Sequence, residues 1–448
     1  MRAEGPHTGP FVVLAHMISG VSARPALRQP ARSVTAARSL WREWPQLLPL
    51  LVLFVAVCAL VQPSPDPVRD EPALLAAASR LLGGHLVPVH PTLDPRAYLW
   101  HGPGLVAVLA PLVALDLPIA VIRFVDPVLF GSAVLLFHRL LRLRLGPRAA
   151  LLWSYAFALY VPFYGVLPEI HKEPLSALLV VAAMLAASRA LNRGGGWAIV
   201  AAGLALTALT MVRMEYGWVT IGLLAVGFAT WALRRDSARA RRATAIAAVG
   251  VAGCLPWLGY THHLTGKPLY WGSSSGLSLF WMSPTQRGET GAWHEPSSVF
   301  TDPGLASFQP FFAHLRRLDP VASDDELRAR ATANIRAHPA AYARNVAANA
   351  ARLFFAAPMR PGLSVTRVSI NVLFNGALLA GIAWAVVLAR RRRLALPPET
   401  VPIAVFVLVA IAIHLPPAAS PRMLLPIVPA LLWLVAQVDG ARRAARTS

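Results

Sequence analysis

EIHKEPLSALLVVAAMLAASRALNR, residues 169–193, holds in one stretch the features that decide the fold. Its first residues carry both signs of charge, in Glu169, His171, Lys172 and Glu173. An apolar run follows over 174–190, and the stretch closes on Arg189 and Arg193. A helix that crosses a bilayer needs roughly 20 mostly apolar residues, and shorter ones occur. The stretch therefore reads as a spanning helix with a mixed polar cluster at one end and only arginines at the other. The same reading along the chain gives spans at 45–62, 124–141, 149–167, 174–190, 197–214, 217–233, 243–260, 367–389, 401–416 and 422–438.

Composition agrees. Of 448 residues 56% are hydrophobic and 14% charged, with mean hydropathy +0.53; soluble domains carry about 25% charged residues. A soluble enzyme, a disordered chain and a nucleic-acid-binding domain are excluded. The net charge of +21 is a topology signal. With the arginine-rich N-terminus in the cytoplasm and one crossing per span, each arginine cluster between spans falls inside. About 24 basic and about 5 acidic residues then lie inside, against about 18 and about 16 outside, as the positive-inside rule requires. Cys58 and Cys254 sit in apolar runs, which argues against a disulfide framework or a cysteine-rich zinc site.

Five regions follow. Residues 1–44 read as a disordered basic cytoplasmic tail without a cleavable signal peptide. Residues 45–260 form an N-terminal transmembrane module that includes a first external loop, 63–123. Residues 261–366 form an extracytoplasmic cap, 367–438 the C-terminal transmembrane helices, and 439–448 a cytoplasmic tail. Within the first loop, 102–118 is apolar, but a crossing there would reverse every later basic cluster. It is expected to be a short packed or membrane-dipping helix, the alternative being an eleventh span. In the cap, Ser323-Asp324-Asp325-Glu326 reads as a capping box, and Pro339 opens a helix to about Phe355. The expected fold class is an all-α polytopic membrane protein of about 10 transmembrane helices with a small helical cap.

Ionisable groups at membrane depth are costly and mark functional sites by default. The topology brings to the outer face Asp70 and Glu71, then Glu169, His171, Lys172 and Glu173. Arg213 and Glu215, His262, His263 and Lys267, and His414 and Arg422 join them. Each has a plainer reading. Asp70 and Glu71 could be the first turn of a helix at 71–82, favoured there by the macrodipole. Arg213 and Glu215 could pair with each other, Arg422 could be an interface anchor, and the histidines suit an interface better than a metal. Joint placement of both charge signs at one level is what points to a buried polar site.

At these residues the chain resembles bacterial GT-C glycosyltransferases of the protein O-mannosyltransferase superfamily (glycosyltransferase family 39-like). The passages that carry the resemblance are RDEPALLAAASRLLGG at 69–84, HGPGLVAVLAPLVAL at 101–115, EIHKEPLSALLVVAAML at 169–185, GLALTALTMVRMEYGW at 203–218, LPWLGYTHHLTGKPLYWGSSSGLSLFW at 255–281 and SPRMLLPIVPALLWL at 420–434. The resemblance implies a GT-C-type bundle in a bacterial plasma membrane, with both termini cytoplasmic and the active site extracytoplasmic. It implies inverting transfer of a sugar from a polyprenyl-phosphate carrier to a glycan, lipid or protein acceptor. Asp70 would be the general base, with Glu71 as its neighbour. Arg422, Arg213 and Lys172 would hold the lipid phosphate, for which arginine's planar fork is suited. Glu169, Glu173, Glu215, His263, Lys267 and Ser274 (within the run 273–276) complete the expected substrate site. Relatives of this fold differ in their use of a divalent cation, so a metal is left open. The chain departs from the family pattern at Pro72-Ala73-Leu74, which lacks the usual aromatic residue, and at Met423, where an Arg-Tyr pair is common.

Two rival functions are compatible with so hydrophobic a chain. A transporter or flippase of a lipid-linked sugar would be expected to show internal repeats and charges at mid-bilayer; neither is seen. A carrier-binding relative without activity would have no need of the acidic pair.

Overall fold

The computed structural model describes residues 44–61, 70–88, 98–284, 290–358 and 364–447. Among the described residues there is no strand. The expected tail, 1–44, lies almost wholly outside them, and most of the first external loop between 63 and 97 is described only over α2 and its end.

In chain order the helices are α1 (Leu48–Leu60), α2 (Asp70–Leu82), α3 (Pro103–Ala114), α4 (Ile119–Ile122), α5 (Val125–Arg142) and α6 (Pro147–Ala158). Then come α7 (Lys172–Arg193), α8 (Gly196–Val212), α9 (Tyr216–Leu233) and α10 (Ala238–Thr265). The cap holds α11 (Ser275–Met282), α12 (Gln309–Leu315), α13 (Pro320–Ala337) and α14 (Pro339–Phe355). The chain closes with α15 (Val365–Arg392), α16 (Thr400–Ile413) and α17 (Val428–Thr447), the last preceded by a 3-10 turn at Pro421–Ile427.

Among the described residues six helical segments are long and apolar enough to cross a membrane: Ile119–Arg142, α7, α9, α10, α15 and Pro421–Arg446. Shorter apolar helices occupy Pro45–Leu60, Pro103–Ala114, α8 and α16. The expected span 149–167 is not one helix. It ends at Ala158 and gives way to a 3-10 turn at Val161–Gly165. Pro162 explains the break, because proline removes an amide donor and drives the preceding residue out of the helical region. At the C-terminus α17 runs on to Thr447, so the expected tail, 439–448, is helical over its described residues. Its polar end is held by Arg442 and Arg443, both paired with Asp439.

α7 is the axis of the bundle. Its run of Ala and Leu favours helix, Pro174 falls in the first turn where it is tolerated, and Gly194, at φ +76, ends it. It packs against α5, α8 and the Pro421–Ile427 turn. Some 67% of its apolar window is enclosed by protein, and 83% of Pro421–Arg446, against 17% of α15. The lipid-facing surface therefore lies on helices such as α15, and α7 with α17 forms the interior.

The two ends of α7 differ. At its C-terminal end Arg144 and Asn192 both donate to the buried Glu399, and Arg242 donates to Leu191 O. Arg139, Arg189 and Arg193 gather at the same end. The other end, about 33 Å away at 1.5 Å per residue, carries the mixed charges.

Segment 102–118 forms α3, 12 residues long, or about 18 Å, as a short packed helix. It packs on α2 and α8. Gly102 and Gly104 make this contact possible. A Cβ at Gly102 would stand 2.0 Å from Met211 O, and one at Gly104 would stand 2.7 Å from the Val212 side chain.

The cap has its own aromatic core, with Phe280, Trp281, Phe308 and Phe312 in mutual contact. Its helix α13 opens earlier than the capping box at 323–326 suggested. Asp319 is the cap, accepting from the amides of Val321 and Ala322, and Pro320 takes the first helical position. Proline there is preorganised for the helix, and this favours the upstream start. Pro339 opens α14, which runs to Phe355.

Candidate active site

α2 begins at Asp70, so the carboxylate sits in the first turn, where the helix dipole favours negative charge. It forms an ion pair with Arg422 Nη2 at 2.8 Å. Arg422 follows Pro421 at the start of the 3-10 turn that leads into α17. Its Nε lies 3.8 Å from Glu173 Oε1. Glu173, in the first turn of α7, accepts from Arg213 Nη1 at 3.1 Å. Arg213 follows α8 and donates through Nε to Glu215 Oε1 at 2.8 Å. Glu215 in turn is 3.9 Å from His414 Nε2, at the end of α16.

The result is an unbroken row of alternating charges, Asp70, Arg422, Glu173, Arg213 and Glu215, drawn from four separate parts of the chain. Its inner members are enclosed, with the side chains of Arg213 and Glu173 4% and 2% exposed. The outer part of the row is more accessible, with Arg422 41% exposed, Glu215 36% and the terminal Asp70 12%. Lys172, half-buried at the first position of α7, is close enough to stabilise the charged forms of both Asp70 and Glu215.

Burial would raise the Asp70 carboxyl. Arg422, helped by Lys172, outweighs that and holds it well below the usual carboxylate range. Glu215 likewise is held well below its ordinary value, burial being outweighed mainly by Arg213. Burial pushes the His171 imidazole down despite Glu173 nearby. The site thus keeps Asp70 ionised and favours a neutral His171.

Glu71, the other half of the acidic pair, points elsewhere. Both of its oxygens accept from Arg123, at 2.6 and 3.0 Å, and Oε2 also accepts the Ile170 amide at 3.0 Å. Asp126 Oδ2 takes the next amide, that of His171, at 2.8 Å. Two buried carboxylates therefore hold the turn that delivers Lys172 and Glu173. Neither Arg123 nor Asp126 was singled out by the sequence, although both stand in the segment that opens the second apolar span. His101 was also missed as a residue, although the HGPG passage containing it was noticed. The Gly102 and Gly104 contacts press its turn against the end of α8, beside Arg213.

The structure therefore brings together Asp70, Glu173, Arg213, Glu215 and Arg422, with Glu169 beside His171 at 3.7 Å and Lys172 alongside. It separates the others. Lys267 pairs with Asp325 of α13 and lies over the Tyr270 ring. His263 is exposed in the last turn of α10. Ser274 precedes α11, where the run 273–276 serves packing. Ser273 donates to Tyr98 O, Arg328 donates to Ser275, and Asp324 accepts the Gly276 amide at 2.6 Å.

Among the described residues no group of three or more His, Cys, Asp or Glu side chains could hold a metal ion. Asp70, Glu71, Glu173 and Glu215 are paired with Arg422, Arg123 and Arg213.

No protein-family model matches the chain, and no curated protein matches it. Solved structures similar to it include the archaeal oligosaccharyltransferase AglB from Archaeoglobus fulgidus in complex with an inhibitory peptide and a dolichol-phosphate. That likeness has 15% identity and TM-score 0.47, covering 91% of this chain and 52% of that one. The same enzyme tethered to an acceptor peptide gives 15% and 0.47, covering 89% and 50%. ArnT from Cupriavidus metallidurans bound to undecaprenyl phosphate gives 16% and 0.41, covering 90% and 78%. The chain spans about half the length of the oligosaccharyltransferase chains it matches.

Proposed function

We propose that the protein is a membrane glycosyltransferase that moves a sugar from a polyprenyl-phosphate carrier to an acceptor hydroxyl on the extracytoplasmic face, with inversion. The observation that carries this reading is the Asp70–Arg422 pair. It sets an ionised carboxylate against a partly exposed guanidinium at the end of α7 away from the arginine clusters. The positive-inside rule supports a cytoplasmic side for those clusters and both termini and an extracytoplasmic side for the site, in the bacterial plasma membrane that the resemblance implies.

Both groups suit the reaction. The leaving group is a lipid phosphate that gains charge as its bond to the sugar breaks, and fixed cations stabilise that charge best where water is excluded. Arg422 and Lys172 supply them. Arg213 does not, because Glu173 and Glu215 enclose it; it holds those two carboxylates in place. The acceptor hydroxyl is a poor nucleophile until a base removes its proton. Asp70 does this as the new bond forms at the anomeric carbon. The electron pair of the broken C–O bond leaves with the polyprenyl phosphate, and the proton stays on Asp70 until product departs.

The salt bridge gives the order of events. While paired with Arg422, Asp70 is ionised but weakly basic. A donor phosphate competes for the same guanidinium, and its arrival releases the carboxylate and raises its basicity. Binding of the donor thus arms the base. Glu71, held by Arg123 and Ile170, positions the α7 turn.

The test is to incubate the purified protein in lipid with a panel of labelled polyprenyl-phosphate sugars and acceptor membranes. Label transferred with inverted anomeric configuration is expected. A donor moved across the membrane uncleaved would favour the transporter reading, and no turnover of any donor by folded protein would defeat the proposal.

A further inference from the structure

We infer that Asn349 is a positioning residue for the phosphate-binding arm of the site, acting from the cap. This rests on the reading above, in which Arg422 binds the donor phosphate.

His414 and Arg422 stand at the two ends of one short connection between α16 and the turn leading into α17. That connection contains Pro416 and Pro417 and has few amides with which to hold itself. Asn349, on α14 and fully buried, supplies what is missing. The two N–H groups on its Nδ2 are shared among three carbonyls, His414 O and Leu415 O at 3.0 Å and Pro417 O at 2.7 Å, and its Oδ1 accepts the Ala419 amide at 2.9 Å. Arg352, also buried, donates to the same Oδ1 at 3.0 Å and to Gly291 O at 2.9 Å. Tyr342, from the same helix, donates to Pro416 O at 3.2 Å, and the Ala418 amide donates to Ser278 O of α11 at 3.1 Å. The cap therefore grips nearly every residue of the connection three positions short of Arg422.

An amide side chain is the group for this place. It presents donors to several carbonyls and one acceptor to an amide and a guanidinium. A carboxylate would leave those carbonyls facing an acceptor. Truncation would leave buried polar groups unsatisfied, which costs more than the bonds themselves contribute. Asn345, one turn earlier on α14, provides the comparison. It is equally buried but bonds only to Met282 O within the cap, at 3.0 Å.

The experiment compares wild type with Asn349→Ala, Asn345→Ala and Arg422→Ala in nanodiscs. It measures affinity for undecaprenyl phosphate and amide exchange over 415–423. Asn349→Ala is expected to weaken phosphate binding roughly tenfold, in the direction of Arg422→Ala, and to speed exchange at Ala419 by at least about tenfold, as loss of one or more buried hydrogen bonds implies. Asn345→Ala should do neither. Wild-type affinity in Asn349→Ala, with Arg422→Ala impaired, overturns the positioning role and leaves the phosphate reading standing. Wild-type affinity in Arg422→Ala overturns both. Exchange at Ala419 unchanged in Asn349→Ala overturns the clamp whatever the ligand. If Asn349→Ala does not fold, Asn349→Asp, which keeps the bond from Ala419 but loses the donors to the carbonyls, is measured in its place on phosphate affinity alone: weakened affinity supports the positioning role, and wild-type affinity with Arg422→Ala impaired overturns it.

Discussion

Arg422 reaches two carboxylates at once, Asp70 at 2.8 Å and Glu173 at 3.8 Å, and it is the exposed member of both pairs. A phosphate can therefore approach it without dismantling the enclosed Glu173–Arg213 contact. Arg422→Lys keeps the charge but loses the fork that grips a phosphate. It should raise KM for the donor on the order of tenfold with a smaller change in kcat. Arg422→Ala should lose both, by on the order of a hundredfold or more, since an ionic bond to phosphate and its transition-state share disappear together. Steady-state kinetics on the two variants checks this.

Glu71 should behave differently from Asp70 despite being its neighbour in sequence. Glu71→Gln replaces a carboxylate that accepts two bonds from Arg123 and one from Ile170. The expected result is lower stability, by about 1–3 kcal/mol, with activity reduced but measurable. Thermal unfolding in detergent alongside turnover separates the two residues.

Burial lowers the His171 pKa, so the folded protein resists protonating a group that the unfolded chain protonates at about 6.5. Stability contributed by the neutral ring is complete above that value. It is lost as pH falls below it toward the folded value. The melting temperature should therefore fall from about pH 6.5 downward, and His171→Gln should flatten that part of the profile. Asp70 and Glu215 act in the same direction at lower pH. Their depressed values contribute stability that is present above about 4 and lost as pH drops through the folded values.

Gly102 and Gly104 admit α3 to the end of α8. Gly102→Ala places a methyl group against a backbone oxygen that cannot move aside, so it should cost about 1–3 kcal/mol. Gly104→Ala, against a side chain as well as backbone, should cost a similar or smaller amount. Both should reduce turnover by displacing the His101 turn. Gly376→Ala, in the interior of α15 with nothing within 4 Å, is the control for a harmless substitution.

Much of this arrangement was legible in the sequence because membrane topology restricts where each loop can be. Charge asymmetry assigns alternate loops to one face, and Asp70, Glu173, Arg213, Glu215 and Arg422 were all recognised by that argument. The same argument could not decide which loops on a face converge. Lys267 and Ser274 share the face yet belong to the cap, where Lys267 pairs with Asp325 and the Ser274 carbonyl accepts from Ser278. The break after Ala158 was available in Pro162 but was hidden by an otherwise apolar run. Asp126 and Arg123 were invisible for a different reason. They stand at a helix start, where an acid is ordinary, and only the fold reveals that Asp126 caps the next turn. Asn349 gave no signal, since one asparagine on an amphipathic helix is unremarkable until its partners are known.

The central claim is that Asp70 takes the acceptor's proton while Arg422 is drawn to the donor phosphate. The most direct measurement is single-turnover cleavage of a labelled polyprenyl-phosphate sugar in the presence of acceptor, in wild type and Asp70→Asn, with donor affinity determined on the same samples. The account predicts donor binding as tight as wild type or tighter, because Arg422 has lost a competitor, together with cleavage slowed by about 10²–10⁴-fold. Undiminished cleavage by Asp70→Asn would contradict it.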